Sequence, residues 1–139
     1  MSNQYRMYTD GGARGNPGPA ASGAIIKKVV NGKEELVASA SEYLGRATNN
    51  QAEYKAVIIG LQKAKEIGVK ELDVVMDSEL IVKQLNKEYK VKDEKLAKLY
   101  IQVWDLTHDF EKIGFRHVFR EHNKEADALV NQTIDEQIR

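Results

Sequence analysis

Four carboxylates in this sequence lie where side chains can do chemistry: Asp10, Glu53, Asp77 and Asp127. Asp10 and Asp77 each follow the carboxyl end of an apolar strand, and open α/β sheets bind ligands just outside such ends. Glu53 and Asp127 lie among alanines near the start of a helix, on or near a buried face, where an acid needs a partner. The sequence therefore suggests that elements far apart along the chain bring acids to one place.

Each acid also has a simple structural role when it is considered alone. Asp10 precedes two glycines and suits a turn, and Asp77 precedes a helix and suits an N-cap. Glu53 suits the first turn of a helix, where the macrodipole favours an acid, and Asp127 suits a solvated helix surface. Converging carboxylates, however, repel and raise one another's pKa unless divalent cations neutralise them. Because all-oxygen donors favour Mg²⁺ or Mn²⁺, the joint placement points to a metal-dependent phosphoryl-transfer site.

The composition excludes several other chemistries. The chain has 139 residues and no cysteine, which rules out disulfides, thiolate metal sites and a cysteine nucleophile. Lysine plus arginine and aspartate plus glutamate both number 21, so the formal net charge is zero. A domain that binds nucleic acid through its overall charge is expected to be basic. Any nucleic-acid binding by this chain therefore depends on local patches of charge or on bound cations. We expect one domain over residues 1–139 that does not enter a membrane and is cytoplasmic.

The order of elements predicts how these acids are positioned. Periodicity predicts strands at residues 4–9, 23–30, 33–43, 72–76 and 114–119, with a glycine-rich loop at 10–19. It predicts helices at residues 48–68, after Ser78 through Leu85, at 93–112 and at 124–135. This order indicates an α/β domain with a mixed sheet that begins antiparallel and continues with parallel strands. Trp104 alternates with Val103 and Leu106 and is expected in the core.

Four segments carry a resemblance to a known family: YTDGG at 8–12, TNNQAE at 48–53, VMDS at 75–78 and NKEADAL at 123–129. In this order they resemble the active-site motifs of type 1 ribonuclease H, the ribonuclease HI family, over nearly the whole chain. Many relatives carry an extra basic, tryptophan-rich helix, the basic handle, which binds the RNA–DNA hybrid. The match is to the minimal form without this handle, similar to some archaeal and bacterial members. The resemblance implies a ribonuclease H-like five-stranded mixed sheet, its first three strands antiparallel, with helices on both faces.

The same resemblance implies an activity and a cofactor. The implied enzyme is an endonuclease that hydrolyses the RNA strand of RNA–DNA hybrids and leaves 5′-phosphate and 3′-hydroxyl ends. The four acids would hold two Mg²⁺ ions, for which Mn²⁺ can substitute, and Asp10 would bridge both. One ion would activate the attacking water and the other would stabilise the leaving 3′ oxygen.

Substrate contacts are also implied by the resemblance, at Gly11, Gly12, Arg14, Asn16, Arg46, Thr48, Asn49, Asn50 and Gln51. The two glycines allow the backbone to approach the minor groove, where 2′-hydroxyls distinguish RNA from DNA. Arg46 and Thr48 resemble a pair that holds a phosphate of the DNA strand. Capping of the helix remains an alternative or additional role for Thr48 and Asn49. Arg14 is either a phosphate contact or an ordinary loop charge.

The last expectations concern turnover and substrate affinity. Family members have a loop before the fourth acid whose histidine assists product release; here the loop is the short segment REHN at 120–123. Either Arg120 or His122 takes that role, and a plain surface histidine remains an alternative for His122. The lysines of residues 83–98 substitute partly for the missing handle, and we expect a monomer. Two other functions stay open: another nuclease activity on the same fold, or a non-catalytic module that binds nucleic acid.

Overall fold

The structure, a computed structural model, describes residues 4–138 and contains one five-stranded sheet with helices packed against it. The strands are β1 Gln4–Ala13, β2 Gly18–Val30, β3 Lys33–Ala47, β4 Glu71–Met76 and β5 Lys112–His117. The helices are α1 Asn49–Glu66, α2 Glu79–Leu85, α3 Glu94–Thr107 and α4 Lys124–Gln137, with a 3₁₀ turn at Arg120–His122. None of these helices is both long enough and apolar enough to span a bilayer.

The sheet has the strand order β3-β2-β1-β4-β5. Its first three strands are antiparallel neighbours, as expected from their short connections. β4 then pairs in parallel with β1, and β5 pairs in parallel with β4. The expected mixed sheet is therefore confirmed. Because β1 and β4 are parallel neighbours, Asp10 and Asp77 come to the same edge of the sheet.

Helices cover both faces of the sheet, which was also expected. A Cβ added at Gly60 of α1 would meet Ala24 of β2 at 3.0 Å, so Ala24 faces α1. A Cβ added at the neighbouring Gly23 would instead meet Leu129 of α4 at 3.3 Å. Successive residues of a strand point to opposite faces, so α1 and α4 lie on opposite sides. The larger core lies beneath α1, α2 and α3, and a smaller cluster, Ala21, Val130 and Ile134, anchors α4.

The glycine-rich segment 10–19 is not a loop throughout, which corrects the sequence prediction. β1 continues to Ala13 and β2 begins at Gly18, and the two strands pair as far as Ala13 with Ala20. Only residues 14–17 lie between the strands. Gly11, one of the glycines that suggested a turn, serves close packing instead, as its surroundings show below.

Two predictions near α3 were also wrong. The helix ends at Thr107 rather than at residue 112, because the N–H groups of Glu111 and Lys112 already donate to the carbonyl of Lys70 where β5 begins. Trp104 is 41% exposed rather than buried, and the Lys87 ammonium lies 3.7 Å from the centre of its ring. Val103 faces the core, and one residue further a helix has turned by about 100°. The single domain over residues 1–139 stays a prediction, since residues 1–3 and 139 lie outside the described part.

Candidate active site

Gly11 allows the first two acids to meet. A Cβ at Gly11 would overlap the backbone carbonyl of Ala52. Only glycine at this position therefore allows β1 to lie so close to the start of α1. Ser22 of β2 strengthens the same contact, because its hydroxyl donates to the carbonyl oxygen of Ala52 at 2.7 Å. Glu53 follows Ala52 and thus lies beside Asp10.

The start of α1 is held by a capping box. Thr48 is the N-cap, its hydroxyl accepts from the Gln51 N–H at 3.2 Å, and the Gln51 side chain accepts from the Thr48 N–H at 2.9 Å. This reciprocal pair satisfies two donors at the helix end. Glu53 comes after the capping positions and is 8% exposed, so it is not a solvated first-turn acid. The capping role considered for Thr48 is therefore confirmed.

Asp77 reaches the site from the end of β4. The strand ends at Met76, and Ser78, not Asp77, caps α2 by accepting from the Ile81 N–H at 3.4 Å. The Asp77 carboxylate is thereby left to face Asp10 and Glu53. Asp10 in turn lies inside β1 and is not a turn residue. The structural alternatives for these two acids are both wrong.

The three carboxylates form a tight and buried cluster. One oxygen from each of Asp10, Glu53 and Asp77 lies within 4.8 Å of the others, and Asp10 is 7% exposed. Burial, followed by the charge of Asp77, raises the pKa of Asp10 to about 7. Burial, followed by the charges of Asp10 and Asp77, raises the pKa of Glu53 well above its ordinary value. Both carboxyls therefore take up protons more readily than ordinary acids, and a cation bound among them would compete with those protons.

The fourth acid belongs to the same cavity but stands apart from this group. Asp127 lies in the first turn of α4 and is half-buried. It lines a cavity of about 510 Å³ together with the other three acids. Its charge also contributes to the raised pKa of Asp10. The structure thus brings all four predicted acids to one cavity, and carboxylate oxygens of three of them lie within 4.8 Å of one another.

The donor set fits a divalent cation. All the ligand atoms that these acids offer are carboxylate oxygens, which hard cations such as Mg²⁺ and Mn²⁺ prefer. Glu53 Oε2 is buried and has no hydrogen-bond partner within the described residues. A basic side chain reaches the cluster at Asp77, 3.7 Å from the guanidinium of Arg120, but that arginine is 86% exposed. A buried, unpaired carboxylate oxygen in an acidic cluster is what a cation site offers when no cation is bound.

The predicted substrate residues surround this cavity and a second one beside it. Gly11, Gly12, Arg14, Asn49 and Asn50 line the acid cavity. The second cavity, of about 730 Å³, is lined by predicted residues and by the start of α3, in the set Asn16, Pro17, Arg46, Ala47, Thr48, Asn50, Gln51, Asp93, Glu94, Lys95 and Leu96. The two cavities share Asn50 and therefore lie side by side.

Asn49 and Asn16 shape the rim between the strands and α1. The Asn49 side chain accepts from the Ala13 N–H at 2.8 Å, and the Asn49 N–H donates to the Asn16 side chain at 2.9 Å. Arg14 is held on α4 instead, 2.6 Å from the carboxylate of Asp135. Of the two loop residues considered for turnover, Arg120 lines the acid cavity, whereas His122 is exposed and lines a different one.

Two residues that position the site were not singled out from the sequence. Ser22 ties β2 to α1, and the side chain of Asn123 donates to the carbonyl of Thr9, the residue before Asp10, at 2.9 Å. A serine within an apolar strand was the available signal for the first. For Asn123 the signals were its place at the start of the NKEADAL motif and directly before a helix, which suggest a cap and not a contact with β1.

Comparisons with known proteins agree with this architecture. A profile of the family described as "Reverse transcriptase-like" matches residues 8–133. The bifunctional protein Rv2228c of Mycobacterium tuberculosis is 43% identical over 129 residues, which are 93% of this chain and 35% of that protein. Ribonuclease HI of Halobacterium salinarum is 40% identical over 133 residues, which are 96% of this chain and 65% of that protein. The chain thus spans about a third of the first relative and about two thirds of the second.

A solved structure shows the same agreement in three dimensions. The crystal structure of LC11-RNase H1 in complex with RNA/DNA hybrid superposes with a TM-score of 0.89 and 39% identity, covering 97% of this chain and 99% of that one. The two chains therefore share one fold over nearly their whole lengths. On these grounds the chain belongs to the type 1 ribonuclease H family.

Proposed function

We propose that this chain is a metal-dependent endonuclease that hydrolyses the RNA strand of RNA–DNA hybrids. The observation that carries the proposal is the cluster of Asp10, Glu53 and Asp77, whose carboxylate oxygens lie within 4.8 Å of one another without a buried basic partner among the described residues. Family membership and the hybrid bound to LC11-RNase H1 support the choice of substrate. The products we propose carry 5′-phosphate and 3′-hydroxyl ends.

The proposed cofactor is a pair of Mg²⁺ ions held by the cluster and Asp127. Such ions supply a water of lowered pKa and positive charge beside the leaving oxygen. The chain's own part is to present Asp10 and Glu53 as deprotonated ligands. Since burial and mutual repulsion raise the pKa of both groups, cations and protons compete for this site.

The proposed hybrid contacts follow the two cavities. The RNA strand would lie against Gly11, Gly12 and the asparagines of the α1 start, beside the acids. The DNA strand would lie in the second cavity, where Arg46 and Thr48 would hold a phosphate. Thr48 keeps this role open although its hydroxyl accepts from the Gln51 N–H, because a hydroxyl also donates one hydrogen bond.

Arg120 is the residue we propose for product release, because it lines the acid cavity and lies 3.7 Å from Asp77. His122 lies in another cavity beside Glu121, and its proposed role is that of a surface residue. The monomeric state and the cytoplasmic location stay predictions from the sequence.

A strand-specific cleavage assay tests the proposal. RNA and DNA strands carrying different labels are annealed and incubated with the protein in Mg²⁺, in Mn²⁺ or in EDTA. We expect metal-dependent cleavage of the RNA strand alone, with ends that accept ligation as 5′-phosphates. Cleavage of the DNA strand, of DNA duplexes or of single-stranded RNA would point to another nuclease. Binding of the hybrid without cleavage in either metal would point to a non-catalytic module.

A further inference from the structure

Asn123 is a buried amide whose side chain does not serve its own helix. It is 2% exposed and precedes α4 at the N-cap position. Asparagine is favoured at N-caps because its side-chain oxygen accepts from the first free N–H groups of the helix. Within the described residues the Asn123 side chain makes no such bond. Its Nδ2 donates instead to the carbonyl of Thr9, 114 residues away along the chain.

This residue is bonded next to two acids of the cluster. Its side chain holds the carbonyl of Thr9, and the next residue is Asp10. Its own carbonyl accepts the N–H of Asp127 at 3.1 Å, which starts the first turn of α4. Its N–H donates to the carbonyl of Arg120, at 2.9 Å, and so fixes the 3₁₀ turn as well. One side chain therefore joins β1, at the residue before Asp10, to the start of α4.

The position of Asp127 depends on this link more than the positions of the other acids do. Asp10 and Asp77 are held by the strands, and Glu53 is held by the contact between Gly11 and Ala52. Asp127 is carried by α4, whose first turn also contains the buried Ala126 and pairs Glu125 with Lys27 of β2, while Val130 and Ile134 anchor the helix further along. The Asn123 side chain adds a directional bond from the start of this helix to β1, beside Asp10.

The unpaired oxygen of Asn123 supports a role beyond stability. Asn123 Oδ1 is buried and has no hydrogen-bond partner within the described residues. A buried acceptor without a partner is unfavourable for folding. The side chain thus combines one hydrogen bond to β1 with a destabilising unpaired acceptor. This combination fits a residue that positions its neighbours and does not mainly stabilise the fold.

We propose that Asn123 is a positioning residue that holds Asp127 at its working distance from Asp10. The inference rests on the proposed function, because the consequence of a misplaced Asp127 is slower hydrolysis. Loss of the Asn123 side chain would let the start of α4 shift against β1 while Asp10, Glu53 and Asp77 keep their places.

A double-mutant cycle measures whether Asn123 acts through Asp127. Asn123→Ala, Asp127→Asn and the double variant are compared for cleavage of the labelled hybrid at saturating Mg²⁺. We expect Asn123→Ala to lower kcat by about 10- to 100-fold, as misplacement by about 1 Å does, with little change in KM. The double variant should be no slower than Asp127→Asn alone. Effects that multiply in the double variant, or a kcat unchanged by Asn123→Ala, would overturn the proposal.

A measurement without metal or substrate tests the link itself. In the metal-free protein we compare amide hydrogen exchange at Asp127 with exchange at Ala97, whose N–H donates to the carbonyl of Asp93 in the equivalent first turn of α3. Asn123→Ala should speed exchange at Asp127 and leave Ala97 unchanged. Equal acceleration at both amides would mean general destabilisation and would overturn the proposal. This readout holds even if the wild type fails to cleave, which would refute only the proposed function.

Two further variants keep the test interpretable. Asn123→Ser removes the reach to Thr9 but leaves a good N-cap residue, so it replaces Asn123→Ala if that variant does not fold. Val103→Ala, in the core under α3, is the control for lost stability away from the site. It should lower the melting temperature with kcat unchanged, and an equal fall of kcat in Val103→Ala and Asn123→Ala would contradict a positioning role.

Discussion

The neighbouring glycines Gly11 and Gly12 should respond in opposite ways to the same added methyl group. At Gly11 a Cβ would overlap the backbone of Ala52, which no rotation of a side chain can relieve. At Gly12 the nearest atom is the Val130 side chain at 3.8 Å, an ordinary contact distance. Gly11→Ala is therefore expected to damage folding, whereas Gly12→Ala is expected to fold normally.

The size of the effect at Gly11 follows from overpacking. Extra methyl groups in a packed core cost about 1–3 kcal/mol, and the upper end applies where the obstacle is backbone. A loss of about 3 kcal/mol is a large part of the roughly 5–15 kcal/mol that stabilises a typical domain. For a chain of this size it corresponds to a fall of about 10 °C in the melting temperature. Gly12→Ala should stay within about 1 kcal/mol of the wild type.

Urea unfolding in EDTA and hybrid cleavage at 25 °C separate stability from activity. Gly12→Ala should keep the unfolding midpoint and raise KM, because its methyl group occupies space proposed for the minor groove. Gly11→Ala should lower the midpoint and, where still folded, reduce kcat through a displaced Glu53. A Gly11→Ala variant as stable as the wild type would refute the argument from close approach. A Gly12→Ala variant with unchanged KM would refute the substrate contact.

Periodicity and spacing predicted the framework of the site because those signals are local. The antiparallel start and the parallel continuation followed from connection lengths, and the convergence of Asp10 with Asp77 followed from parallel strands ending at one edge. The interpretation of residues 10–19 was wrong because glycine serves turns and close packing alike. Only the position of Ala52 in space decides between those roles.

Contacts between distant segments explain the rest of what sequence could not supply. The hydrogen bond from Asn123 to Thr9 joins residues 114 positions apart, and no local sequence pattern predicts it. Trp104 lies one residue after the core position Val103, about 100° around the helix, so the way α3 docks on the sheet decides its exposure. The separate position of Asp127 likewise depends on how α4 docks on the sheet and not on its motif.

Three further predictions concern charge and packing. Because the pKa of Asp10 is raised to about 7, its ionisation should lower the stability of the metal-free fold as pH rises from about 4 to 7. Asp10→Asn should therefore unfold at a higher urea concentration than the wild type at pH 7 but not at pH 4. Equal urea midpoints for the two proteins at both pH values would contradict the raised pKa. Replacing Lys90 and Lys92 by alanine should raise KM for the hybrid and flatten its salt dependence, and unchanged values would exclude these lysines from binding. Tyr54→Phe removes the hydrogen bond that the Tyr54 hydroxyl donates to the Gln84 side chain at 2.7 Å. The free energy of unfolding measured in urea should fall by about 1–3 kcal/mol while kcat stays unchanged. An unchanged urea midpoint would show that this bond does not stabilise the fold.

The most direct measurement of the central claim compares two aspartate-to-asparagine changes in one chain. Asp10→Asn alters the centre of the acid cluster, and Asp105→Asn alters an exposed acid on α3. Mn²⁺ binding without substrate and cleavage of the RNA strand of a hybrid are measured for both and for the wild type. We predict that Asp10→Asn weakens metal binding and abolishes cleavage while Asp105→Asn matches the wild type. Full cleavage by Asp10→Asn would contradict the account.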